Sequence, residues 1–273
     1  MTAVRSRTET VLDRTRAEGR PALIGYLPAG FPDLDTSIAA ARTMLDAGVD
    51  VIELGLPYSD PVMDGPVIQR ATTAALANGF RTRDVLTAVE QLSGGDAAIL
   101  LMSYWNLVLA QGVDSFASRL ADVGGAGIIT PDLIPEEAED WIAASDAHGL
   151  DRIFLVAPSS PRERLAHVAS HSRGFVYAAS TMGVTGTRTS VSDQAEDLVS
   201  RTRTAGAGFV CVGLGVSDGA QAAEVGRYAD GVIVGSAFVR ALADSPGGDL
   251  TAVRRVAEDL RAGIDRARTG HSA

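Results

Sequence analysis

Eight short apolar runs alternate with helix-like runs along the chain, and the apolar runs are continuous rather than interleaved with polar residues. Strands that read this way belong to a parallel sheet covered by helices. An eightfold count, in a length of 273 residues, points to closure of that sheet on itself. The predicted fold is therefore α/β: a single (β/α)8 barrel of the TIM type over residues 1–273, with an added N-terminal helix and a short extra helix after the eighth strand. No GxGxxG follows the first run, which speaks against an open dinucleotide-binding sheet.

The elements follow in order. The polar lead contains VLDRTRAEG, a short helix; Leu23 to Pro28 is the first strand, and SIAAARTMLDAG the first full helix, with Gly48 as its stop. Val49 to Leu56 is the second strand, followed by a loop rich in proline and glycine and a long helical region through Leu92. AAILLMSYW, AGIITPD, RIFLVAP, FVYAAS, FVCVGLG and DGVIVGSAF supply strands three to eight. The helices between them are VDSFASRLADVGG, PEEAEDWIAASDAHG, PRERLAHVAS, SDQAEDLVSRTR and SDGAQAAEVGR, and TAVRRVAEDLRAGIDRAR closes the chain.

Composition removes whole classes of chemistry. All 24 basic residues are arginine, so no lysine exists to form a Schiff base or to serve a P-loop. A net charge of −10 repels nucleic-acid phosphates, and no basic patch offsets it. Among the four histidines only His167 and His171 share helical i, i+4 spacing; with no carboxylate between them they read as a solvated helix end, and no metal is expected. One cysteine, Cys211, allows no disulfide within the chain. The polar N-terminus carries no secretory signal, and no apolar run reaches the roughly 18 residues of a membrane span. A cytoplasmic location is expected.

The chemistry is expected at the C-terminal ends of the strands. Glu53 stands in the middle of the second strand, where alternation puts Val51, Glu53 and Gly55 on one face and Ile52, Leu54 and Leu56 on the other. A carboxylate so buried shifts its pKa upward or finds a partner, which makes it either a proton donor and acceptor or half of a structural pair. The loop after it carries Asp60 and Asp64; Asp64 precedes Gly65 and Pro66 and reads equally as a carboxylate of the site or as a helix N-cap. Tyr177, in strand six, reads as a pocket or a core aromatic. Asp132 reads as a turn or capping residue.

Strands seven and eight end in GLGVSDG and GSAF. Loops in these places, with a helix starting near Gly235 and Ser236, form the usual phosphate site of the fold, holding an anion on backbone N–H groups without a basic side chain. Gly186, Gly213 and Gly215 would let the backbone approach the phosphate closely. Arg188 is the exception in loops otherwise poor in cations. Without lysine or metal, carbon–carbon cleavage of a phosphorylated substrate requires the substrate to supply its own electron sink. An indole does so once C3 is protonated, and two carboxylates suit that chemistry, one acting at C3 and the other beside the ring N–H.

VIELGLPYSDPVMDGPVIQ, LLMSYWNLV, ITPDLIPEEA, FVYAASTMGVTG, VGLGV and GVIVGSAFV, in this order over nearly the whole chain, resemble the tryptophan synthase alpha subunit. With YLPAGFPD and STMGVTG the chain looks most like the actinobacterial branch. The resemblance implies reversible cleavage of indole-3-glycerol phosphate to indole and glyceraldehyde 3-phosphate. It implies Glu53 as the acid and base at indole C3, Asp64 as the carboxylate facing the indole N–H and Tyr177 as the pocket tyrosine. Tyr26, Met102, Ile129, Leu214 and Ile233 would line the indole pocket, Gly186, Gly215, Gly235 and Ser236 would hold phosphate, and Thr185 would bond the loop Asp on closure. The implied partner is a pyridoxal-phosphate beta subunit in an α2β2 complex that receives indole through a tunnel, this chain itself carrying no cofactor.

Thr181, Pro28 and Phe31 depart from the family's usual loop residues and bear on loop closure and partner contact. Two further readings stand beside the coupled enzyme: a free-standing lyase that releases indole, and a weak catalyst that mainly activates the beta enzyme. Intact Glu53 and Asp64 argue against the second.

Overall fold

A computed structural model describes residues 6–179, 188–213 and 215–267. Thr181, Thr185, Gly186 and Leu214 lie outside the described residues. Nine parallel strand segments form one sheet: β1 (Ala22–Pro28), β2 (Val51–Gly55), β3 (Ala98–Met102), β4 (Gly127–Ile129), β5 (Asp151–Ile153), β6 (Leu155–Val156), β7 (Val176–Ala179), β8 (Val210–Gly213) and β9 (Gly231–Val234). Their order is β5-β4-β3-β2-β1-β9-β8-β7-β6. The expected count was eight. RIFLVAP is split at Phe154, so that β5 pairs with β4 while β6 pairs with β7. The break falls where this strand changes partner, and the continuous run 151–156 closes the ring.

Twelve α-helices occur among the described residues. The expected N-terminal helix is α1 (Arg7–Ala17), and α2 (Leu34–Asp46) is capped by Asp33, whose carboxylate accepts from Thr36 N–H. The long helical region after β2 divides into α3 (Pro66–Ala77) and α4 (Asp84–Leu92), because Gly79 takes a φ of 94° that a helix cannot continue through. The third strand is shorter than AAILLMSYW: the chain leaves the sheet after Met102 and Trp105 begins α5 (Trp105–Leu109). Helices α6 (Val113–Asp122), α7 (Glu139–His148), α8 (Arg162–His171), α9 (Arg188–Thr204), α10 (Gly219–Val225), α11 (Ser236–Ala243) and α12 (Thr251–Arg266) complete the coat.

Strand alternation sorts the core into two layers. Ala22, Ile24, Val51, Ala98, Leu100, Ile153 and Cys211 fill the barrel interior, whereas Leu23, Ile52, Leu54 and Phe238 pack between sheet and helices. Val11 and Leu12 of α1 join the interior cluster and so stopper the N-terminal end of the barrel, each burial contributing about 2 kcal/mol. Two polar contacts fix this stopper: Glu9 N–H donates to Ser6 Oγ (2.9 Å) and Thr8 N–H to buried Asp151 Oδ2 (3.1 Å). Nearby, Arg20 and Asp50, both buried, form a two-pronged ion pair at 2.7 and 2.8 Å. Among the described residues no helix packs across the opposite, C-terminal end in this way.

Candidate active site

β2 pairs with β1 on one side and β3 on the other, placing Glu53 between Tyr26 and Leu100. A residue in a strand flanked on both sides has no route to solvent except through the barrel mouth. Glu53 points inward with Val51, as alternation requires, and is 1% exposed. It forms the floor of a cleft of about 160 Å³ at the C-terminal mouth. Its Oε1 is buried with no hydrogen-bond partner among the described residues. Burial disfavours the charged form and pushes the Glu53 pKa to about 8. The carboxyl therefore carries a proton at neutral pH. An acid whose Oε1 has no partner among the described residues speaks against its being half of a structural ion pair.

Two tyrosines flank this acid, and two glycines make room for them. A Cβ on Gly55 would lie 2.3 Å from the Tyr26 hydroxyl, and a Cβ on Gly213 would lie 2.3 Å from that of Tyr177. Gly213 lines the cleft, but the space left by its missing side chain is occupied by tyrosine. The missing side chain of Gly213 thus makes room for Tyr177, while the residue itself stands at the cleft wall. Burial, reinforced by the charges of Asp64 and Glu53 for Tyr26 and of Glu53 for Tyr177, keeps both phenols neutral.

Asp64 lines the wall of the same cleft, and its pKa is raised by burial. It is not the cap of α3: Gly65 holds the N-cap position, no side chain caps the helix, and Pro66 occupies its first turn, where no N–H is needed. Asp60 is exposed and accepts from Ser59 Oγ at 2.6 Å, away from the cleft. Asp132 does cap, as expected of it, but across loops: both its oxygens accept from Trp105 N–H, at 2.9 and 3.1 Å, at the start of α5.

Across the cleft stand Gly215, Ile233, Gly235 and Ser236. Ser236 begins α11 with Gly235 as N-cap and no side-chain capping bond, so the first N–H groups of the helix have no acceptor within it. Gly215 takes a φ of 66°, a conformation that favours glycine. This corner suits an anion. Met102 also lines the cleft, as expected. Ile129 lies in the interior cluster, 0% exposed, rather than on the cleft wall.

The structure also adds residues that sequence reading passed over. Ile68 of α3 and Leu155 of β6 line the cleft, and Tyr104 receives a hydrogen bond from Met63 N–H, next to Asp64. No local signal marks Tyr104, whose contact spans 41 positions of sequence. His167 and His171 sit on α8 with ring centroids 4.3 Å apart, and His167 Nε2 lies 3.6 Å from Glu136; neither histidine lines the cleft. Among the described residues no group of three or more His, Cys, Asp or Glu side chains is placed to hold a metal ion.

A nearly closed parallel β/α barrel with a buried carboxyl at the floor of its C-terminal cleft defines an enzyme of the (β/α)8 class. The family model of the tryptophan synthase alpha chain matches residues 12–267. A tryptophan synthase alpha chain of Mycobacterium marinum is 59% identical over 259 residues, covering 95% of each chain, and one of Thermobifida fusca is 58% identical over 258 residues, covering 93% of this chain and 96% of that one. A tryptophan synthase structure from Mycobacterium tuberculosis superposes with a TM-score of 0.89 at 55% identity, covering 95% of this chain and 98% of that one. The subunit alpha structure from Legionella pneumophila gives 0.87 at 31%, covering 95% and 98%. The chain belongs to the tryptophan synthase alpha chain family, and its actinobacterial relatives agree with the branch expected from its motifs. The subunit of this family is a lyase that cleaves indole-3-glycerol phosphate in tryptophan biosynthesis.

Proposed function

We propose that Glu53 performs this cleavage twice over, first as acid and then as base, within one barrel domain spanning the chain. Its proton passes to indole C3, which turns the ring into a cation able to accept an electron pair. The bond from C3 to the glycerol carbon then breaks, its electrons return to the ring, and the ionised Glu53 takes the proton of the hydroxyl on that carbon as it becomes the aldehyde. Indole and glyceraldehyde 3-phosphate result, and Glu53 ends protonated as it began. Asp64 faces the ring N–H and offsets the positive charge that develops there. Tyr26, Met102, Tyr177 and Ile233 enclose the ring, and the phosphate rests on the N–H groups around Gly215, Gly235 and Ser236. Leu214, Thr185 and Gly186 belong to the same proposal by their places in the family's motifs, Thr185 as the residue that bonds the loop Asp on closure. The observation that carries this reading is Glu53 itself, 1% exposed on the cleft floor with its Oε1 unpartnered among the described residues.

The partner is proposed to be the pyridoxal-phosphate beta subunit, in an α2β2 complex in the cytoplasm, with no cofactor in this chain. Val62 and Met63, Leu109, and Ile134 are 77%, 48%, 51% and 44% exposed and lie after β2, β3 and β4 respectively, at the C-terminal end of the barrel. Large exposed side chains gathered there support docking of a protein over the mouth. Among the described residues no helix is long and apolar enough to cross a membrane.

Turnover of indole-3-glycerol phosphate by the wild type and Glu53→Gln, each with and without a beta subunit, tests the proposal. The variant should lose about 10²- to 10⁴-fold, and the partner should raise wild-type turnover. More than a tenth of wild-type activity in the variant would remove Glu53 from the mechanism. Equal wild-type turnover with and without saturating partner would favour a free-standing lyase.

A further inference from the structure

Tyr104 takes no part in the chemistry proposed above and does not line the main cleft, yet it stands directly behind Asp64. It is 6% exposed and, with Asp64, Tyr26, Gly55 and Ser103, encloses a small separate cavity at the back of the cleft. Its hydroxyl oxygen accepts from Met63 N–H at 2.9 Å, one residue before the carboxylate. Its ring meets Tyr58, at the other side of the same loop, with centroids 5.2 Å apart. Burial, with the nearby Asp64 charge adding to it, raises the phenol above its usual range and keeps it neutral.

Tyr104 is itself held from the next loop. Asp132, after β4, accepts from the N–H of Trp105, and Ser103 Oγ donates to the Tyr104 carbonyl at 2.9 Å. A chain of contacts thus runs from the loop after β4 through the start of α5 to the loop bearing Asp64. That last loop is held by few contacts: Val62 is largely exposed, Met63 is half-exposed at the edge of the cleft, and apart from the Tyr104 bond the Asp64 carbonyl accepts from Gln69 Nε2 at 2.7 Å. A segment with so few buried contacts depends on the hydrogen bonds it does make.

We infer that Tyr104 is a positioning residue, whose hydroxyl fixes the backbone at Met63 and thereby aims the Asp64 carboxylate into the cleft, with Asp132 anchoring Tyr104 from the neighbouring loop. This role for Tyr104 rests on the one proposed for Asp64. Val62 and Met63 lie in the loop that bears Asp64, Leu109 at the end of α5 and Ile134 after β4, so a protein seated on the mouth presses on the same chain of contacts.

Tyr104→Phe keeps the ring and deletes the hydroxyl. In the full chain, kcat for indole-3-glycerol phosphate should fall about tenfold or more, as misplacement of a reacting group by a fraction of an ångström does, while KM stays within about twofold. In an Asp64→Asn background the same substitution should cause no further fall in kcat, because the residue acts only through Asp64. Hydrogen exchange at the Met63 amide should quicken by about tenfold or more, a readout independent of turnover. Asp132→Ala, which removes both acceptor oxygens and leaves Tyr104 intact, should lower kcat in the same direction. Saturating beta subunit should restore part of the Tyr104→Phe loss by holding the loop from outside. Unchanged kcat, or an equal fold-loss in the wild-type and Asp64→Asn backgrounds, would overturn the inference. The two readings fail separately: full activity in Glu53→Gln or Asp64→Asn removes the proposed chemistry, while the Met63 amide still decides whether Tyr104 holds the loop.

Discussion

Glu53→Gln also tests the buried acid in an experiment that requires no substrate. The side chain is 1% exposed, and burial raises its pKa from the ordinary 4.5 to about 8. In the unfolded chain the carboxyl releases its proton near pH 4.5, whereas in the folded chain it keeps that proton until about pH 8. Between those values the native state binds more protons than the unfolded state, so this group subtracts stability as pH rises. Its contribution is complete below pH 4.5 and lost by about pH 8. At about 1.4 kcal/mol for each tenfold change in proton affinity, the window corresponds to at most about 5 kcal/mol. Glutamine has nearly the same shape and does not titrate. Urea denaturation of both proteins at a series of pH values from about 4.5 to about 8.5 should therefore show the variant gaining on the wild type throughout the window, levelling off above about pH 8. Parallel stability curves would mean that the Glu53 pKa is ordinary in the folded protein, and the reading of a neutral acid on the cleft floor would be wrong.

Asp64→Asn should lower turnover with a smaller effect on KM, since an amide cannot offset charge on the indole ring; because Gly65 occupies the cap position, thermal stability should stay unchanged, and a lower Tm with normal turnover would reinstate the capping role. Gly215→Val should raise KM far more than Ser236→Ala, because the glycine adopts a φ of 66° that a β-branched residue rarely takes, whereas the alanine leaves the backbone donors in place; titration with inorganic phosphate should rank the variants alike, and unchanged phosphate affinity in Gly215→Val would move the anion site elsewhere. Asp50→Asn should cost about 3 kcal/mol in denaturant unfolding, since it leaves the buried Arg20 guanidinium without its two-pronged partner; a loss under about 1 kcal/mol would mean that Glu18, 2.8 Å away, suffices for Arg20.

What the sequence determined by itself was whatever depends on period and on local residue type. Period-two alternation in VIELGL assigned Glu53 to the same face as Val51, and the structure has both inside the barrel. Continuous apolar runs reported a sheet covered on both faces, and the glycine and serine after Val234 marked a helix start that α11 occupies. Tertiary structure decided what depends on which strands and loops meet. The split of RIFLVAP at Phe154 follows from ring closure, where one strand must pair with β4 below the break and β7 above it. Gly213 read as a phosphate contact because glycine in a loop permits close approach of anything; only the folded barrel specifies that the Tyr177 hydroxyl is what approaches. Asp64 read equally as cap or as site residue, since both roles call for a carboxylate before a helix, and the distinction lies in the position of Gly65. Tyr104 was invisible because its partner amide is 41 residues away, and a hydrogen bond between loops leaves no periodic trace in either of them.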